Sequence, residues 1–79
     1  MRWVYKLIEY TGSAYFYAYA RESDQLDGII MFDRGTGMLT VTNPCEKDMG
    51  KEYCIEKAIE HFQKVIDDNF PVERHVDCG

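Results

Sequence analysis

The run from Ala14 to Arg21, Ala-Tyr-Phe-Tyr-Ala-Tyr-Ala-Arg, constrains this chain more than any other segment. Tyr15, Tyr17 and Tyr19 alternate with Ala14, Phe16, Ala18 and Ala20, and a period of two sends the two sets to opposite faces of a β-strand. Neither set is charged. A sheet built around this strand has apolar surface front and back.

The same period organises the rest of the first half. Residues 2 to 10 alternate Trp3, Tyr5 and Leu7 with Val4, Ile8 and Tyr10, and their β-branched and aromatic content favours a strand. Thr11-Gly12-Ser13 reads as a tight turn into the tyrosine strand, over 14–21. After the polar stretch Glu22 to Asp27, a third strand is expected over 28–33. Asp33-Arg34-Gly35-Thr36-Gly37 supplies a hairpin turn, because two glycines within five residues permit positive φ. A fourth strand follows over 38–42. Short connections between consecutive strands imply antiparallel neighbours, hence a meander.

Asn43-Pro44 changes the regime. Proline suits a first helical position, and Asn43 with Glu46 three residues on resembles a capping box. Asp48 is a second candidate start, since a helix running through Gly50 is weakened by about 1 kcal/mol relative to alanine. Steps of 100° per residue gather Ile55, Ala58, Ile59, Phe62, Val65 and Ile66 into one stripe, with Glu56, Glu60, Lys64 and Asp67 opposite. The helix, expected over about 46–68, ends near Asp68-Asn69, because asparagine accepts the left-handed conformation and Pro71 forbids continuation. The tail, 70–79, is either a short fifth edge strand from Val72 or frayed. The expected fold is α+β: a four-stranded antiparallel meander with one C-terminal helix on one face (ββββα), in a single domain spanning 1–79.

Seventy-nine residues hold only one core. So small a core supplies about 3–5 kcal/mol without a staple or a partner, which makes association attractive. The formal charge of −5 opposes docking on phosphate backbones and anionic lipid, so neither nucleic acid nor membrane is an expected partner. The longest apolar stretches fall far short of the roughly 20 residues that span a bilayer. Lys6 and Glu9 interrupt the apolar region a signal peptide would need. The expectation is a complete, acidic, cytoplasmic product with reduced thiols, because Cys45, Cys54 and Cys78 are odd in number and lack Cys-x-x-Cys spacing.

One helix covers one sheet face, and the alanines nominate it. Ala14, Ala18 and Ala20 around Phe16 let a helix approach closely, whereas tyrosines hold it away. The expected outer face then carries Tyr15, Tyr17 and Tyr19 with, in one register, Trp3 and Tyr5. Each large aromatic offers on the order of 150–250 Å², and a typical monomer tolerates an apolar patch of about 300–600 Å². These five aromatics are therefore the expected interface of a homodimer, in an interaction or accessory module that also has room for an unidentified protein partner.

The alternative reading is a small-ligand-binding or thiol-active protein, using the aromatic face or Cys45. Cys45 falls in the first turn of the expected helix, where a helix N-terminus stabilises a thiolate, although Glu46 and Asp48 oppose this. Cys54, His61, His75 and Cys78 are the available soft metal ligands. Cys54 and His61 lie about 10.5 Å apart along a helix, too far to share one zinc ion, so no metal or cofactor is expected. Asp24, Asp27, Asp33 and Asp67-Asp68 sit in turns or termini, Gly35-Thr36-Gly37 leads into a strand, and Ser13 and Ser23 are turn residues. No catalytic residue is assigned.

The run Tyr15 to Ser23, continued by Leu26-Asp27-Gly28-Ile29-Ile30 and Phe32-Asp33, resembles short uncharacterised bacterial proteins without an assigned activity. The resemblance covers about the first half of the chain and implies no mechanism and no functional residue.

Overall fold

A computed structural model describes residues 1–77. Five strands, β1 (Arg2–Tyr10), β2 (Ala14–Arg21), β3 (Gly28–Asp33), β4 (Leu39–Asn43) and β5 (Glu73–Asp77), form one antiparallel sheet in the order β4-β3-β2-β1-β5. The meander is as the alternation implies. The tail supplies the fifth strand, which pairs with β1 from Arg2 opposite Asp77 to Lys6 opposite Glu73.

Helical structure starts later than the Asn43-Pro44 signal suggests. A 3-10 turn spans Glu46–Asp48, and Gly50, at φ 76°, separates it from α1 (Glu52–His61). A left-handed residue cannot continue an α-helix, so the expected single element over 46–68 is divided at this glycine. α2 (Gln63–Asp67) follows α1 through Phe62, whose backbone stays right-handed helical and whose N–H donates to the Ala58 carbonyl. The end of α2 matches the asparagine signal: Asn69 has φ 61°. Phe70 is also left-handed, at φ 55°. That strained backbone is held by ring contacts, since Phe70 stacks on Tyr15 at 3.9 Å between centroids and meets Phe32 at 5.2 Å.

The face chosen by the helices overturns the expectation from the alanines. The main core comprises Trp3, Tyr5, Tyr17, Tyr19, Ile30, Cys45, Ala58, Phe62, Val65 and Val76, so α1 and α2 lie over the tyrosine side of the sheet. Ala14, Phe16, Ala18 and Ala20 point away from them. Burying a large side chain is worth about 1.5–3 kcal/mol against about 0.8 kcal/mol for a methylene-sized group, so covering the rings outweighs close approach over alanines. The separation imposed by the rings is filled rather than empty. Phe62 meets Tyr5 and Tyr17 edge-on at 5.4 and 5.2 Å, and Ala58 gives Tyr5 passage beside α1.

Gly28 sits opposite Tyr19 in the β2/β3 register and makes room for its ring. A Cβ there would lie 2.5 Å from Tyr19 Cε1 and 2.7 Å from the Cys45 backbone nitrogen. Replacing Gly28 by Ala should therefore cost about 1–3 kcal/mol of stability, read as a lower midpoint in urea with an unchanged slope. An unaltered midpoint would show that this ring is not wedged as described.

Candidate functional site

The tyrosine row forms part of the core, and its hydroxyls explain how. Tyr5 donates to the Ala58 carbonyl at 2.6 Å, and Tyr17 donates to the Pro71 carbonyl at 2.6 Å. The Tyr19 oxygen accepts the Cys45 N–H at 3.2 Å. Each phenol thus crosses the layer between sheet and covering chain and ends on a backbone group. Trp3, Tyr5, Tyr17 and Tyr19 are at most 1% exposed, and Tyr15 is half-buried between Tyr10 and Phe70. The five aromatics expected to form an outer interface are brought together, but four of them lie beneath the chain's own helices.

Burial raises the phenols' pKa values. Desolvation pushes Tyr17 up to about 12, with neighbouring Tyr15 adding to the effect. Tyr5 and Tyr19 are raised further by the same cause. Between the unfolded value near 10 and the folded values, the native state holds protons that the unfolded chain releases. The contribution to stability is intact below about pH 10 and declines as pH rises through that window. In a spectrophotometric titration, Tyr5, Tyr17 and Tyr19 should ionise only as the fold opens. Ionisation of all six phenols by about pH 11 with unchanged circular dichroism would contradict this burial.

At the end of the tyrosine row, Arg21 points to the helix side and pairs with Asp48 in the 3-10 turn, Nε to Oδ1 at 2.6 Å. The Asp48 side chain is fully buried, and its Oδ2 has no hydrogen-bond partner among the described residues. This pair ties the turn to β2, and no local pattern signals it because the partners are 27 residues apart. Cys45 lies beside it. The thiol is buried, and desolvation pushes its pKa up, with the Asp48 carboxylate adding to the effect. A three-residue turn carries too little dipole to offset that. The geometry favours a neutral thiol over a nucleophilic thiolate. Next to it is a cavity of about 110 Å³, lined by residues that include Arg21, Asp27, Cys45 and Lys47.

Replacing Arg21 by Met leaves the Asp48 carboxylate buried without its counter-charge, a change that typically costs about 3–5 kcal/mol. In a domain this small, extensive unfolding at room temperature is the expected result, seen by circular dichroism. A folded Arg21→Met protein with native stability would show that the pair contributes nothing.

The soft ligands do not converge. Cys54 is half-buried on α1, and the His61 ring leans on Trp3 at 4.4 Å on the helix side. His75 pairs with Glu73 at 2.8 Å on the opposite face. Cys78 lies outside the described residues. Among the described residues, no three His, Cys, Asp or Glu side chains group as a metal site, and no helix is long and apolar enough to cross a membrane.

The remaining candidate is the sheet face that no helix covers. Register places Val4, Phe16, Ala18, Ala20, Ile29 and Met31 side by side on it. A bulge between Leu7 and Glu9 leaves Ile8 unpaired, and Ile8 is 54% exposed. Val4 and Ala20, paired with each other, are buried; Phe16, Ala18, Ile29 and Met31 are half-buried. Lys6 and Glu9 of β1, paired with Ala18 and Phe16, and Glu73, His75 and Asp77 of β5 rim one side, and Thr40 and Asn43 of β4 the other. No family model, curated protein or solved structure matches this chain.

Proposed function

We propose that this chain is a small interaction module that self-associates through the sheet face opposite its helices. One observation carries the reading: Phe16, Ala18, Ile29 and Met31, with Ile8 at the neighbouring bulge, share the sheet face away from α1 and α2, and none of them belongs to the core cluster. The layout, apolar at the centre and charged or polar at the rim, is that of a protein interface. A second copy supplies the same surface, so a two-fold axis through the zone sets apolar centre on apolar centre. With a charge of −5 on each copy, added salt should strengthen the pairing by screening repulsion.

Sedimentation equilibrium at micromolar concentration should give twice the chain mass. Ile8→Glu, at an exposed bulge position, should yield a folded monomer, and Phe16→Glu should do the same where it remains folded. A native chain that is monomeric at high micromolar concentration and in high salt would overturn the proposal. So would an Ile8→Glu dimer as tight as the native one.

A further inference from the structure

The sheet ends on two unlike edges. β5, at one, carries Glu73, Arg74, His75 and Asp77, charges that deter an incoming strand. β4, at the other, is Leu-Thr-Val-Thr-Asn, and no charged residue occurs from Gly35 to Cys45 in a chain whose net charge is −5. The backbone of β4 also presents bonding groups to the free side. The Asp33 N–H donates to the Met38 carbonyl, and antiparallel pairing alternates residue by residue, so Thr40, opposite Met31, turns its N–H and C=O toward β3. Leu39 and Val41 turn theirs outward. Their side chains pack against the core cluster, while Thr40 is exposed on the face away from the helices.

A two-fold axis through Thr40, perpendicular to the sheet, makes this edge complementary to itself. In the antiparallel register it sets, Thr40 lies opposite its own equivalent, and Leu39 exchanges both backbone hydrogen bonds with the partner's Val41. The hairpin end of one copy, with Asp33 and Arg34, comes beside the connector end of the other, with Glu46 and Lys47. Arg34 and Glu46 stand six residues either side of Thr40, and Asp33 and Lys47 seven, so each end brings opposite charges together. We propose that β4 is a self-pairing edge, at which a second copy joins antiparallel about Thr40 and the two five-stranded sheets run on as one. Both open faces then lie on the same side, so this contact is separate from the face-to-face one. The irregularity opposite Ile29 and Ile30 confines regular pairing to residues 39–41. Such an interface falls far below the roughly 1,200 Å² of standard-size ones, and its dissociation constant is on the order of 1 mM.

Ile8→Glu, which opposes the open-face contact, isolates the edge. In ¹H–¹⁵N spectra of that variant from about 0.05 to about 2 mM, the Leu39 and Val41 amide peaks should move downfield and saturate. An Overhauser contact between the Leu39 and Val41 N–H protons, which lie too far apart within one strand, should appear with them. Adding Thr40→Lys sets like charges at the axis and should abolish both signals, as should adding Thr40→Glu. Mixing the Thr40→Lys and Thr40→Glu chains in equal amounts should restore them. A short neutral peptide of alternating threonine and valine, at the same concentration, should move the peaks far less. Peaks unmoved up to about 2 mM would overturn the proposal, as would undiminished shifts with Thr40→Lys, no rescue on mixing, or equal shifts with the peptide. The open-face dimer is read at micromolar concentration in the native chain, so the failure of either contact is seen independently of the other.

Discussion

Three phenols that span the layer between sheet and helices determine how this small domain holds together. The Tyr5, Tyr17 and Tyr19 rings supply the area that a 79-residue chain needs to bury, and their hydroxyls end on the Ala58 carbonyl, the Pro71 carbonyl and the Cys45 N–H. A ring without a polar end would fill the same volume but would leave those backbone groups unpaired by side chains. A polar group without the ring would not hold the covering segment at the right distance. The three contacts pin α1, the segment after α2, and the connector before α1 to the sheet. Phe62 then closes the space among Tyr5, Tyr17 and the helices.

This arrangement commits one sheet face to the core and leaves the other without a helix over it. Among the described residues the α-helices are α1 and α2, and both lie on the tyrosine side. The β5 edge carries Glu73, Arg74, His75 and Asp77, which discourages further strands from adding there. What is left facing outward is a modest apolar zone, already narrowed where Val4 and Ala20 are buried. Buried charge follows a similar economy. The Arg21 and Asp48 pair fixes the connector, and burial beside Asp48 keeps the Cys45 thiol neutral.

Much of this architecture was legible in the sequence. Period-two alternation located four strands within about a residue, and the asparagine near the helix end and the two-glycine hairpin were read through their backbone chemistry. Gly50 signals a weak point in any helix through it, and its left-handed backbone makes it a full break between the 3-10 turn and α1. The choice of face is not legible from alternation alone, because the area of the rings outweighs closer approach over alanine. One clue to the right answer, Gly28 opposite Tyr19, emerges only with the register, which pairwise alternation does not fix. The Arg21–Asp48 pair joins segments distant in sequence, and no local pattern announces such a contact.

Nuclear Overhauser contacts among the aromatic rings test most directly which side of the sheet the helices cover. Ring protons of Tyr5 and Tyr17 should show contacts to Phe62, and those of Tyr15 to Phe70, while Phe16 shows none to α1 or α2. Strong contacts from Phe16 to Phe62, with Tyr17 silent toward the helices, would contradict the account and place the phenols on the outer surface.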